Sequence, residues 1–192
     1  MTDRPAPVRV AVLVSGGGTN LQALLDALQD SPIARVARVI SNRPDAGALE
    51  RARRAAVPTT VLRDAGDAAE LLAALRDAHL VVLAGYLKLV PAGVVARFRG
   101  RMINIHPALL PEFGGPGMYG QRVHEAVLAS GARESGATVH FVDEVFDRGE
   151  IIAQEKVPVQ RGDSPEKLAA RVLAAEHRLL TRVVLDLARK IG

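Results

Sequence analysis

Two polar side chains in the run Asn104-Ile105-His106-Pro107 have the types and the spacing for acyl-group chemistry. Alternate side chains of an extended segment share a face, so Asn104 and His106 point to one side and Ile105 to the other. A carboxamide can stabilise the oxyanion of a tetrahedral intermediate, and an imidazole can move protons near neutral pH. No nucleophilic side chain is needed if the acceptor brings its own amine. The alternative is that both residues are turn formers that satisfy backbone groups at a strand end. Asp147, ahead of Arg148-Gly149, is a third candidate. Placed near His106, its carboxylate would orient the imidazole and favour the protonated form. As one of four acids in the stretch, with Asp143, Glu144 and Glu150, it could equally be a solvated turn residue. His106, His124 and His140 are donors a metal could use, but their spacing matches no metal-binding signature, and no metal is expected.

A second constellation is Ser15-Gly16-Gly17-Gly18-Thr19-Asn20, between an apolar run and a helical pattern. Small residues at a helix start expose backbone N–H groups where the helix dipole favours an anion, and a phosphate suits such a place. The loop is not a nucleoside-triphosphate loop, because no Gly-Lys-Ser/Thr follows. Nor is it a dinucleotide fingerprint, since Leu21 stands at the third glycine position and no acid closes the second strand. A phosphosugar fits better. The bland reading is a glycine turn that lets a helix pack close to a strand.

These residues need a scaffold that brings loops to one edge. Val8 to Val14, Arg35 to Ile40, Thr59 to Leu62 and Leu80 to Ala84 read as strands, and Asn20 to Gln29, Ala46 to Ala55 and Ala68 to Asp77 as the helices between them. That alternation predicts an α/β fold with a mostly parallel, Rossmann-like sheet. Leu80 to Ala84 is uniformly apolar and is expected mid-sheet, covered on both faces. A short helix after Pro91 runs to Arg97, and Met102 to Ile105 is a further strand, which puts Asn104 and His106 at a carboxyl end, where open α/β sheets bind ligands. His106 to Gly120 holds three Pro and four Gly and reads as a long loop. A helix over Gln121 to Ala129 follows, then strands Ala137 to Val142 and Ile151 to Val157, which could pair antiparallel. The last helix starts after Ser164, a capping residue, with Pro165 at its first position. Residues 1–192 are expected to form one domain.

Composition narrows the function classes. With no Cys, disulfides, thiolate metal sites and cysteine nucleophiles are excluded, and a reducing, cytoplasmic setting is expected. Met1 to Pro7 is polar and lacks a signal-length apolar stretch, and no run approaches membrane-spanning length. The net charge of +4 comes from basic residues dispersed among acids, and aromatics are 3%, too few for base stacking, so neither nucleic acid nor membrane is an expected partner. Such a balance suits small anions.

Five segments together resemble the folate-dependent glycinamide ribonucleotide formyltransferases of purine synthesis, over nearly the whole chain. They are Val14 to Gln22, Ser41 to Ala46, Val82 to Tyr86, Asn104 to Pro111, and Gly136 to Val142. The resemblance implies direct attack by the amine of glycinamide ribonucleotide on the formyl carbon of 10-formyltetrahydrofolate, a co-substrate. It further implies that Asn104 holds the formyl oxygen, that His106 transfers protons, and that Asp147 pairs with His106 and positions a water. Gly18, Thr19 and Asn20 would bind the ribose phosphate, and Glu176 the glycinamide part. Leu87, Lys88, Leu89 and Val90 would line the folate together with Asp143, Glu144, Val145, Phe146, Asp147 and Asn104. Lys88 stands where the family often has Arg, keeping the charge but losing the fork-shaped partner. The segment Arg63 to Glu70 is shorter than in many members, and Phe113 to Gly120 is a different form of a cover over the site. Monomer and homodimer both remain open. A formyltetrahydrofolate hydrolase would use the same Asn, His and Asp, and a noncatalytic phosphosugar-binding module would keep only the glycine loop. The hydrolases usually carry a further amino-terminal domain, and the related methionyl-tRNA formyltransferases a carboxyl-terminal one.

Overall fold

A computed structural model of the chain describes residues 6–192, so the expectation for the polar amino-terminal segment lies mostly outside the described residues. β-Branched, apolar runs form β1 (Val8–Val14), β2 (Ala34–Ser41), β3 (Thr59–Val61), β4 (Leu80–Leu83) and β5 (Met102–His106). Two later strands follow, β6 (Glu134–Phe141) and β7 (Ile151–Pro158). The helices are α1 (Thr19–Leu28), α2 (Gly47–Arg54), α3 (Ala68–Ala74), α4 (Ala92–Arg97), α5 (Gln121–Ala129) and α6 (Pro165–Ile191). None is long and apolar enough to cross a membrane.

The strands make one seven-stranded sheet in the order β3-β2-β1-β4-β5-β6-β7. Pairings from β3 through β5 are parallel. β6 then runs antiparallel to β5, and β7 antiparallel to β6. β4 is the central strand and all four of its residues are buried, as a uniformly apolar run requires. Alternation divides the strands between two cores. Val10, Val12, Ile103, Ile105, Ala137 and Val139 share one core with α1 and α6, whereas Ala11, Leu13, Val81, Leu83 and Met102 share the other with α3 and α4.

Most boundaries fall within one residue of the expectation, and two differ by three. β6 begins at Glu134 rather than Ala137, because Glu134, Ser135 and Gly136 pair with Pro158, Val157 and Lys156 despite their weak strand preference. At Gly136 a side chain would run into the Glu155 carbonyl and Leu109, so glycine lets the ladder close there. α3 ends at Ala74, short of Asp77. The Asp77 carbonyl instead accepts from Arg9 Nε at 2.6 Å, which draws the chain out of the helix toward β4.

α6 starts as its sequence specifies, with Ser164 Oγ accepting from Lys167 N–H at 3.3 Å and Pro165 in the first turn. Its buried stripe includes Leu168, Val172, Ala175, Leu179 and Val183, at three- and four-residue intervals. Glu176 lies on that stripe. The core thus sets where this one acid can face.

Candidate active site

The antiparallel register of β5 and β6 places Asn104 opposite His140 and His106 opposite Thr138. Since Ile103, Ile105, Ala137 and Val139 point into the core on one face, these four polar side chains share the other. Thr138 is fully buried and fully used. Its Oγ1 donates to the Ala108 carbonyl at 2.6 Å and accepts from Leu110 N–H at 3.0 Å and Gln154 Nε2 at 2.9 Å. This hydroxyl pins the chain as it leaves His106.

His106 is 3% exposed. Its Nε2 lies 2.8 Å from the Phe113 carbonyl, and since a carbonyl only accepts, Nε2 carries a proton. Nδ1 lies 3.5 Å from Asp147 Oδ2. The same carboxylate oxygen accepts from Gly115 N–H at 2.9 Å, while Oδ1 faces Asn104 Nδ2 at 3.4 Å and His140 Nε2 at 3.5 Å. Phe113 and Asp147, the residues that hold His106, both have φ of 55°, a left-handed conformation that non-glycine residues rarely adopt. Such strain clusters where surrounding structure over-determines a site. Gly114 has no room for a side chain between Leu110 and Asp147, so the loop closes directly over the carboxylate.

Burial lowers the His106 pKa below the usual histidine value, and this outweighs the opposing effects of Asp147 and the Phe113 carbonyl. Asp147 acts as the sequence suggested, favouring the charged ring, while burial acts the other way and is the larger effect, so the balance lies toward the neutral imidazole. For Asp147, burial acts upward but is overcome by His140, His106 and the Gly115 N–H, so the carboxyl is held below its ordinary range. The site at rest pairs a neutral imidazole with an ionised carboxylate.

These groups open on a cleft of about 620 Å³ at the carboxyl edge of the parallel strands. Thr19, Asn20 and Glu176 line one part, and Leu87, Lys88, Leu89, Val90, Asp143, Val145 and Phe146 another, with Asn104, His106 and Asp147 also facing it. Glu144 does not line it. Asp143 Oδ1 accepts from Val145 N–H at 2.9 Å, and this turn leaves the Glu144 side chain exposed to solvent. Gly18 is not in the wall either. It is the amino-terminal cap of α1 in a left-handed conformation (φ 76°), and a Cβ there would meet Ala48 Cβ at 2.5 Å. The glycine loop thus packs closely on α2, and α1 has no side-chain cap on its first N–H groups.

Glu176 is 7% exposed, and burial pushes its carboxyl up to about 7, with the Asn20 side chain acting weakly against the shift. Asn20 Oδ1 is buried with no protein partner, an acceptor suited to a ligand N–H. Leu87, Leu89 and Val145 remain between 45% and 56% exposed, apolar surface available to a flat ring. Among the described residues, no three His, Asp or Glu side chains are arranged to hold a metal ion.

The structure brings Asn104, His106 and Asp147 together as the spacing and the resemblance suggested, and adds three residues that they did not assign. His140, 2% exposed, contacts both Asn104 and Asp147. His124 from α5 and Tyr86 after β4 also line the cleft. Alternation within β6 signals His140, since it lies two residues from Thr138. Its position opposite Asn104 needs the β5–β6 register, which local sequence does not specify.

A formyl transferase family model matches residues 8–184 of the chain. The chain is 46% identical over 190 residues to a chloroplastic phosphoribosylglycinamide formyltransferase of Arabidopsis thaliana, covering 94% of this chain and 65% of that relative. It is 39% identical over 186 residues to the phosphoribosylglycinamide formyltransferase of Escherichia coli, covering 92% of this chain and 85% of the relative. Glycinamide ribonucleotide transformylase 1 from Symbiobacterium toebii superposes with a TM-score of 0.90 at 40% identity, covering 99% of this chain and 92% of that one. Sequence, fold and the matched length agree, and the chain belongs to the phosphoribosylglycinamide formyltransferase family.

Proposed function

We propose that this chain transfers the formyl group of 10-formyltetrahydrofolate to the amine of glycinamide ribonucleotide, a step of purine synthesis. The observation that carries the reading is that one cleft joins Asn104, His106 and Asp147 to Thr19, Asn20 and Glu176. That the relatives are phosphoribosylglycinamide formyltransferases supports the choice of acceptor. A cleft of about 620 Å³ lies in the range of small-molecule sites. Its apolar wall at Leu87, Leu89, Val90 and Val145 suits a pterin, and Lys88 suits the folate's carboxylates. The uncapped start of α1 suits the ribose phosphate. Asn20 Oδ1 and the Glu176 carboxyl suit the N–H groups of glycinamide. The cysteine-free composition suits a reducing compartment such as the cytoplasm.

In the transfer, the amine forms a C–N bond to the formyl carbon while the bond from that carbon to folate N10 breaks. Asn104 donates an N–H to the formyl oxygen as it gains negative charge. His106, neutral at rest and already protonated at Nε2, accepts at Nδ1 the proton that the attacking amine loses, and the proton ends on the departing N10. Asp147 stabilises the imidazolium formed in between. No step calls for a metal.

The test is an absorbance assay of the purified protein with 10-formyltetrahydrofolate, with and without glycinamide ribonucleotide. Turnover that requires the ribonucleotide is expected. Equal folate cleavage in its absence would make the protein a hydrolase, and silence in both conditions would leave only a binding module.

A further inference from the structure

His140 has no part in the chemistry above, yet it is buried directly across the ladder from Asn104. Its Nδ1 lies 2.8 Å from the Phe141 carbonyl. A carbonyl only accepts, so Nδ1 carries a proton; Nε2 lies nearer to Asn104 Nδ2, which can only donate, than to Asp147 Oδ1 at 3.5 Å, and the shorter contact calls for a lone pair on Nε2. That lone pair faces Asn104 Nδ2 at 3.1 Å, and the second N–H of the same carboxamide faces Asp147 Oδ1 at 3.4 Å. Turning the amide over would set its oxygen against two acceptors inside a buried site, where unmade hydrogen bonds are costly.

We propose that His140 is a positioning residue that fixes the Asn104 carboxamide with its nitrogen toward the reacting centre. The proposal rests on the formyl-transfer reading. A terminal amide torsion is broad and close to two-fold, so the side chain's own preferences do not choose between nitrogen and oxygen. His140 supplies the choice together with Asp147 Oδ1, and by the shorter contact. Both Asn104 N–H groups are engaged in this structure, so one must be released to a formyl oxygen. The contact to Asp147 is the longer and the one exchanged, while the His140 contact remains as the pivot. Losing that contact also leaves Asp147 Oδ1 free of Asn104 while Oδ2 stays with His106 and Gly115.

Two measurements test this. In ¹⁵N-histidine spectra of the whole protein at neutral pH, the His140 ring, identified by its absence from His140→Gln, is expected to show a protonated Nδ1 and an unprotonated Nε2. A proton on Nε2 would make the Asn104 contact donor against donor and overturn the proposal, whether or not the protein turns over the ribonucleotide. In the assay, His140→Leu removes the acceptor and is expected to lower kcat by about 10²-fold, as misplacing a catalytic group does, with little change in either KM. His140→Gln keeps an acceptor where Nε2 stands and is expected to recover most of that loss. In an Asn104→Ala background, His140→Leu should cost nothing further. Equal losses for Leu and Gln in proteins with unchanged melting, or a full second loss in the Asn104→Ala background, would overturn the role. Failure of the wild-type protein to use the ribonucleotide would instead count against the proposed function, and the spectra still decide the His140 contact.

Discussion

His106 is subject to two opposed influences, and the sign of their sum fixes its role. Burial disfavours the charged ring, Asp147 favours it, and burial is the larger effect. A neutral imidazole at rest is ready to accept the proton of an attacking amine, and Asp147 contributes most after that proton arrives. Asp147→Asn isolates this contribution. Asparagine tolerates the left-handed backbone at this position and keeps the side chain's shape, so the variant should fold. Without the carboxylate, the imidazolium loses its charge partner, and kcat is expected to fall by about 10²- to 10³-fold. The His106 pKa should drop further, because an influence that raises it is gone, and the acid limb of kcat/KM should move to lower pH. Steady-state rates across pH, with circular dichroism to confirm folding, check both statements. Unchanged turnover would remove Asp147 from the mechanism.

At the scale of elements, the site depends on how β5 leaves the sheet. Thr138 on β6 bonds Ala108, Leu110 and Gln154 at once, and Gln154 on β7 also donates to the Leu110 carbonyl at 2.9 Å. The two antiparallel strands therefore hold the turn that carries His106. Thr138→Val keeps the volume but leaves several buried groups without a partner, which costs about 1–3 kcal/mol of stability. Chemical denaturation should show that loss, and kcat should fall more than either KM rises, because the turn that orients His106 loosens. A variant as stable as wild type would show that the three bonds are readily replaced. This part of the molecule also marks where local sequence stops being informative. The parallel strands, their helices, the Ser164 cap and the late strand pair follow from periodicity and capping residues. So does the common face of Asn104 and His106. The early start of β6 does not, since Glu134 and Gly136 extend only because β7 lies beside them. The pairing of His140 with Asn104 is likewise a property of register, and the neutral state of His106 a property of burial. Both are long-range, and neither leaves a periodic trace in the residues themselves.

Across the whole molecule, α6 joins the core to the substrate end of the cleft, and Glu176 shows what that joining costs. The helix buries Val172, Ala175, Leu179, Leu180, Val183 and Val184, each larger aliphatic stabilising the fold by roughly 1.5–3 kcal/mol, and the same stripe carries Glu176 into the protein. Burial raises its carboxyl from 4.5 to about 7. The folded protein then holds a proton that the unfolded chain has already released between those values, so stability declines as pH rises through the window. Below about 4.5 the residue imposes no such penalty, and above about 7 it imposes all of it, on the order of 3 kcal/mol. Glu176→Gln keeps the shape and cannot ionise. Wild type and variant should have similar denaturation midpoints near pH 5, and the variant should be the more stable by up to about 3 kcal/mol near pH 8, roughly 6–12 °C in Tm for a chain of this size. Its KM for glycinamide ribonucleotide should rise while that for the folate stays near wild type, because Glu176 sits with Thr19 and Asn20 rather than beside Leu87 to Val90. Such a trade of stability for a working carboxylate is common where a site needs a buried charge. Denaturation series at the two pH values, run beside substrate titrations, separate the two effects. If the stability gap fails to open between pH 5 and pH 8, Glu176 ionises as an ordinary surface acid would, and the buried stripe of α6 does not reach as far into the site as its packing indicates.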